Sequence, residues 1–247
     1  MVRRGVYVAA GLAAFLVFLV ARVPASQVAR HLPPGVALAG LSGTIWSGRA
    51  GTLTVEGRPL GSLEWSCRPW RLVLLEWACQ IGLQPPGGEV TGDFSGDFAG
   101  NFVGRGIHGT TPISNFEGIA TPRGWTGNLE LDLESFAMKS RLPEAASGRL
   151  FLRGLRAPGA NGERLGDFEL VVGEGSVGGA TLNGRLRDLG GPLHVRGAIE
   201  LFADGRYLLS GDAAPGPGAG PAIFDTLDFL GPPDSQGRRT FTIEGTL

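Results

Sequence analysis

The chain has 247 residues and a formal net charge of −1, and hydrophobic residues make up 43% of the sequence. This length suits one large β domain or two small ones, and the near-zero net charge gives no overall basic field that would attract nucleic acid. Glycine is very common at 42 residues, but it shows no Gly-X-Y period, which excludes a collagen-like chain. Because glycine destabilises helices by about 1 kcal/mol relative to alanine, the composition favours strands and turns.

Residues 5–21 form an uncharged apolar segment between Arg4 and Arg22. At about 1.5 Å per residue, a helix of this length reaches about 25 Å, which is near the minimum for crossing a bilayer. The segment therefore predicts a single membrane-spanning helix. Two alternatives are a signal peptide cleaved near Val23-Pro24-Ala25 and a buried helix of a soluble protein. The length of the apolar run favours the anchor over the signal peptide.

The chain is expected to have three parts. Residues 1–24 form the N-terminal tip and the transmembrane anchor, residues 25–35 form a linker, and residues 36–247 form a β-rich domain. The linker ends in Leu32-Pro33-Pro34-Gly35, which a helix cannot cross. Arginines lie on both sides of the anchor, so the positive-inside rule does not determine its orientation.

From Val36 onward, short stretches of alternating apolar and polar residues recur about every 8–12 residues, as in antiparallel sheets. The clearest stretch is 193–201, which Asp204-Gly205 and a return strand extend into a predicted hairpin. Residues 69–76 predict a short helix or a strand crossing, and residues 222–230 predict a helix. The predicted fold is therefore mainly β, a curved and largely antiparallel sheet with one or two short helices after the anchor. A closed sheet, two packed sheets and an open curled sheet all fit this pattern.

Residues 92–104 repeat a four-residue pattern, GDFSGDFAGNFVG. On a strand, Phe94, Phe98 and Phe102 share one face, so the pattern predicts a long amphipathic strand with these rings facing inward. A calcium-binding β-helix has a nonapeptide repeat instead, which excludes that interpretation.

Cys67 and Cys79 are the two cysteines of the chain. Cys67 continues the alternation of Leu63 and Trp65, and Cys79 begins that of Ile81, so both thiols are expected to face the same layer. In an exported chain this predicts a disulfide, and two buried free thiols are the alternative. No histidine or further cysteine lies at ligand spacing, so no metal site is predicted.

No catalytic residue and no cofactor-binding residue is predicted. The three histidines, His31, His108 and His194, have no nucleophile motif beside them, and the sequence lacks a G-x-S-x-G elbow. Residues 104–109 and 173–178 both satisfy G-x-G-x-x-G. Neither opens a helix within a βαβ unit, which the dinucleotide-binding fingerprint requires. The sequence therefore predicts a protein that is not an enzyme.

A set of small, aromatic and proline residues marks the start of the β domain: Pro33, Pro34, Gly35, Ser42, Gly43, Trp46, Gly48, Trp65 and Pro69. Asp204-Gly205-Arg206-Tyr207, the helix near Phe224 and the following Gly231-Pro232 form a second set at the end of the chain. In both sets the chain resembles protein N of the type II (general) secretion pathway. The middle of the chain, residues 87–190, is similar only in general character.

The resemblance implies a single-pass protein of the bacterial inner membrane whose main domain lies in the periplasm. It also implies an accessory role in type II protein secretion, without catalytic residues. Its partners would be the other inner-membrane platform proteins, with the outer-membrane secretin as a further candidate. The cysteine pair does not belong to the family pattern. An alternative function is lipid binding or transfer, in which the Phe94, Phe98 and Phe102 face would line a groove for an acyl chain.

Overall fold

The structure, a computed structural model, describes residues 7, 11–12, 15, 18–97, 99–118, 121, 123–139, 142–158, 162–173 and 182–246. The predicted anchor therefore lies largely outside the described residues, although residues 18–21 at its end are helical. Within the described part of the chain, no helix is long and apolar enough to cross a membrane.

One antiparallel sheet of fourteen strands organises the described chain. Its strands are β1 (Val36–Ala39), β2 (Ser42–Gly43), β3 (Ser47–Val55), β4 (Arg58–Cys67), β5 (Glu76–Gln84), β6 (Glu89–Asp97), β7 (Phe102–Pro112), β8 (Thr126–Lys139), β9 (Leu142–Arg156), β10 (Arg164–Val172), β11 (Leu182–Asp188), β12 (Leu193–Leu201), β13 (Arg206–Pro215) and β14 (Arg239–Thr246). From β3 to β14 each strand pairs with the next one in sequence, so the sheet is a meander. Among the described residues, β1 and the short β2 pair with β3 alone at one edge, and β14 pairs with β13 alone at the other.

The remaining elements are short and helical. In the described chain from residue 25 onward, three 3₁₀ helices cover Ala25–His31, Pro69–Leu74 and Ile113–Phe116, and helix α1 covers Pro221–Asp228 between β13 and β14. The prediction of a mainly β, antiparallel fold with few helices is confirmed. This prediction succeeded because the alternation of apolar and polar residues along a strand is a local property of the sequence. In β12, for example, Leu193 and Val195 face the covered side of the sheet, whereas His194 and Arg196 face solvent.

The prediction of one long strand over residues 92–104 is wrong, because this stretch is a hairpin formed by β6 and β7. The Asp97 carboxylate makes the turn, since it accepts hydrogen bonds from the backbone N–H groups of Ala99 (2.8 Å) and Asn101 (3.1 Å). Such Asx turns reverse a chain that strand periodicity alone would continue. Phe94 and Phe102 still share one face, but they lie on neighbouring strands, and Phe98 lies outside the described residues.

The buried core is small for so large a sheet, because most of the apolar face is only half-covered. Ile223 and Leu227 of α1 are its best-buried large side chains, and they pack with Ala213 of β13. At the other edge, Ala25 of the first 3₁₀ helix and Ala50 of β3 are buried. The two ends of the apolar face are therefore covered by short helical segments. The register shifts at β-bulges or other irregularities in four of the strand pairs, and a bulge bends the strand that carries it.

Asp188 closes the turn between β11 and β12. Its carboxylate lies 2.9 Å from His194 Nδ1 and accepts hydrogen bonds from the backbone N–H groups of Val195 (3.1 Å) and Gly190 (3.2 Å). Burial on its own would raise the pKa of Asp188, but the hydrogen bonds from His194, Val195 and Gly190 outweigh it and hold the pKa below its usual value. The ionised carboxylate therefore stabilises the folded state.

Replacing Asp188 with asparagine should lower the free energy of unfolding by about 1 kcal/mol at neutral pH. Because the folded-state pKa is depressed, this stabilisation is complete above the unfolded-state pKa of about 3.9 and is lost as the pH falls through the folded-state value. The difference between wild type and Asp188→Asn in urea unfolding should thus shrink below about pH 4. A difference that stayed constant across the acid range would contradict this assignment.

Candidate functional site

An apolar groove of about 920 Å³ lies over the first strands of the sheet. The linker, the turn before β3, strands β1, β4 and β5, and the Pro69–Leu74 helix all contribute to its walls. The lining residues are Leu32, Pro33, Leu38, Ile45, Trp46, Leu63, Trp65, Cys67, Arg68, Leu72, Trp77, Ala78, Cys79 and Ile81. Among these, Arg68 contributes the only charge, so the groove suits an apolar occupant.

The floor of the groove follows directly from strand alternation. Leu63, Trp65 and Cys67 project from one face of β4, and Cys79 and Ile81 project from the same face of β5. The register pairs Trp65 with Ile81 and Cys67 with Cys79, so these side chains lie side by side across the two strands. A disulfide joins Cys67 to Cys79 at the end of this floor.

Two tryptophans connect the floor to backbone that precedes strand β3. The indole N–H of Trp46 donates a hydrogen bond of 2.9 Å to the carbonyl oxygen of Val20. The indole N–H of Trp65 donates to the carbonyl oxygens of Thr44 and Ile45, each at 3.2 Å. Each tryptophan is half-buried, lines the groove with its ring and satisfies its indole N–H on the backbone.

The residues of the predicted family motif divide into two groups. Pro33, Trp46 and Trp65 line the groove, whereas Pro34, Gly35, Ser42, Gly43, Gly48 and Pro69 lie outside its lining. Several of the second group shape the backbone around the groove. At Gly48 a Cβ atom would lie 2.6 Å from the Trp65 ring, so only glycine leaves room for that ring. Pro69 occupies the first turn of its 3₁₀ helix, where a missing N–H costs nothing.

The sequence did not identify Leu38, Leu72 and Trp77 as parts of this site. Trp77 had a readable signal, because it precedes Cys79 and Ile81 by steps of two on the same strand. Leu38 and Leu72 had none, since strand β1 and the short helix bring them to the groove from outside the pair β4–β5. Phe94 and Phe102 are not among the residues that line this groove, so the groove lined by phenylalanines stays a prediction. Phe94 lies opposite Cys79 in the β5–β6 register, and Phe102 packs edge-on against Phe136.

The described residues include no group of three or more histidine, cysteine, aspartate or glutamate side chains that could hold a metal ion. His108 is exposed on β7, and His194 is engaged by Asp188 in a turn. Residues 104–109 lie within β7 and do not open a helix, and most of residues 173–178 lie outside the described part.

The comparisons with known proteins agree with the motif around the groove. The family model described as "Type II secretion system (T2SS), protein N" matches residues 34–242. A protein of Aeromonas hydrophila named "Type II secretion system protein N" is 30% identical over 246 residues, which cover 96% of each chain. No solved structure matches. The match spans both edges of the sheet and the groove between its first strands, and this chain belongs to the type II secretion system protein N family, a family of secretion components.

Proposed function

We propose that this chain is a non-enzymatic accessory component of the type II secretion machinery that is held in the bacterial inner membrane. Residues 1–24 would be the cytoplasmic tip and the transmembrane anchor, residues 25–35 the linker and residues 36–247 the periplasmic domain. The domain would contact other platform proteins of the inner membrane, with the outer-membrane secretin as a second candidate partner. The family match over most of the chain carries this proposal.

The edge strand β14 supports a specific route to these contacts. Among the described residues it pairs with β13 alone, so one row of its backbone N–H and C=O groups faces outward. Ile243 on this strand is 50% exposed, which leaves an apolar side chain beside the open edge. Exposed edges of this kind accept an added strand from a partner.

Site-specific crosslinking from β14 tests this route. A photoreactive residue at Glu244 should form adducts with a platform protein or the secretin when each is co-expressed with the full chain. The matched control is Arg149 on the central strand β9, whose side chain is 55% exposed but whose backbone pairs on both sides. Adducts from both positions alike, or from neither in cells that secrete normally, would contradict the edge contact.

Lipid binding is a second candidate function, and the volume and apolar lining of the groove favour it. Organic extraction of the purified full chain followed by mass spectrometry should then release an acyl lipid. Ile81→Glu places a charge on the groove floor and should abolish the bound lipid, whereas Ile243→Glu on β14 should not. A wild-type protein that is free of lipid would exclude this function.

A further inference from the structure

The connection between β4 and β5 exposes an unusual concentration of large apolar side chains. In this segment, residues 69–75, the exposed fractions are 66% for Trp70, 67% for Leu74 and 72% for Leu75. Three such side chains on one short loop form an apolar surface that water solvates poorly, which marks an interaction site. We call this segment the apolar loop.

Hydrogen bonds and an ion pair define the conformation of the apolar loop. Leu75 adopts a left-handed backbone conformation with φ of 57°, and its N–H closes the last turn of the 3₁₀ helix on the carbonyl oxygens of Arg71 and Leu72. The Arg71 guanidinium forms an ion pair of 2.9 Å with Glu76 across the base of the loop. A non-glycine residue in the left-handed backbone conformation is destabilising by about 1 kcal/mol or more. Here that conformation of Leu75 turns the side chains of Leu74 and Leu75 outward.

The loop lies at the same end of the sheet as the end of the predicted anchor. The backbone N–H of Cys67, just before the loop, donates to the carbonyl oxygen of Trp46, and the Trp46 indole donates to Val20. The backbone N–H of Ile45 also bonds the carbonyl oxygen of Val23 at 3.0 Å. These bonds link the chain that leaves residues 5–21 to the strand end that carries the apolar loop.

The charges near the loop suit a surface of anionic phospholipids. Arg22 and Arg68 are exposed, and in sequence they adjoin Val23 and Cys67, whose backbones take part in these bonds. Nearby acidic groups are engaged locally: Glu76 pairs with Arg71, and Asp97 closes its own turn. A tryptophan and leucines flanked by arginines are the composition of segments that lie in the headgroup region of a bilayer.

We infer that the apolar loop inserts into the lipid–water interface of the membrane that holds the anchor, with Trp70, Leu74 and Leu75 among the upper acyl chains and Arg22 and Arg68 at the phosphates. This inference rests on the proposed inner-membrane anchor. The sheet then has two attachments to one bilayer, the N-terminal segment and the loop, and these hold the groove, whose wall includes Leu72, beside the lipid surface.

Fluorescence quenching in reconstituted vesicles tests the position of the loop. The full chain is placed in vesicles of phosphatidylethanolamine and phosphatidylglycerol whose acyl chains are brominated near the headgroup. Trp70→Phe should remove a large share of the quenched emission. Trp125→Phe is the matched control, because Trp125 precedes β8 at the opposite end of the sheet, and it should remove none of it. The Leu74→Glu/Leu75→Glu variant should lose the quenching of Trp70, and an unchanged unfolding midpoint would show that it folds.

Flotation of the same vesicles separates this inference from the anchor on which it rests. Wild-type chain that floats with the vesicles and contains quenched Trp70 supports both. Chain that floats while Trp70 stays unquenched overturns the inserted loop and leaves the anchor in place. Chain that does not float overturns the anchor and this inference with it. If Trp70 became shielded from solvent only after a platform protein was added, the apolar loop would be a protein interface. That result would also overturn insertion into the membrane.

Discussion

Gly61→Ala should destabilise the β domain by about 3 kcal/mol, enough to shift its urea midpoint strongly. Gly61 lies in β4 with φ of 110°, a conformation that side chains rarely adopt. A Cβ atom there would point directly at the carbonyl oxygen of Gln84 and would lie 2.7 Å from the Cα atom of Pro85. Both atoms belong to backbone at the end of β5, so the two strands below the groove would have to separate.

Two other glycines provide matched controls for this variant. Gly57 has φ of 76° in the β3–β4 turn, and a Cβ atom added there would have no other atom within 4 Å, so Gly57→Ala should cost only about 1 kcal/mol. Gly51→Ala, where the nearest atom would lie at 3.7 Å, should be close to neutral. Urea unfolding, monitored by tryptophan fluorescence, measures these losses of unfolding free energy. If Gly57→Ala and Gly61→Ala lost the same amount, steric conflict with Gln84 would not be the cause of the destabilisation at Gly61.

Removing the disulfide with Cys67→Ser/Cys79→Ser should lower the free energy of unfolding by about 3 kcal/mol. The two cysteines are 12 residues apart in sequence, and closing a loop of this size restricts the unfolded chain. The variant should also loosen the groove floor, since Cys67 and Cys79 both line it. Chemical unfolding with and without reductant measures the loss.

The wild-type protein in reductant is the control for the serine variant, and the two should unfold at the same midpoint. Reductant should leave the variant itself unchanged. Thiol labelling of the full chain purified from cells without reductant gives an independent check. Two labelled cysteines in that material, or a wild-type midpoint insensitive to reductant, would show that the bond does not stabilise the protein.

Much of the candidate site can be read from the sequence without the fold. The alternation of Leu63, Trp65 and Cys67 places these side chains on one face, and the structure has them on the groove floor. The family pattern singles out Pro33 and Trp46, without any indication of what they contact. The contact of Trp46 with Val20 joins positions 26 residues apart, and nothing local predicts it.

The repeat at residues 92–104 shows where local pattern reaches its limit. A period of four is consistent with the period of two in a strand, so the repeat predicts Phe94 and Phe102 on one continuous strand. The turn between them depends on the Asp97 carboxylate capping the backbone of Ala99 and Asn101. A strand and a tight hairpin therefore share the same apolar pattern, and a single side-chain hydrogen-bond acceptor selects the hairpin.

By itself, the sequence determined that this protein is mainly β and antiparallel, that helix α1 ends before Gly231, and which family it resembles. These features depend on the spacing of apolar residues, on glycine and proline, and on a motif, all of which are local. Only the tertiary structure decided that the twelve strands from β3 to β14 follow one another in a single meander and that the linker, the turn at Trp46 and the Pro69–Leu74 helix meet over β4 and β5. The physical reason is that strand pairing and groove formation bury surfaces from distant segments together, and the free energy of that burial does not appear in any one segment.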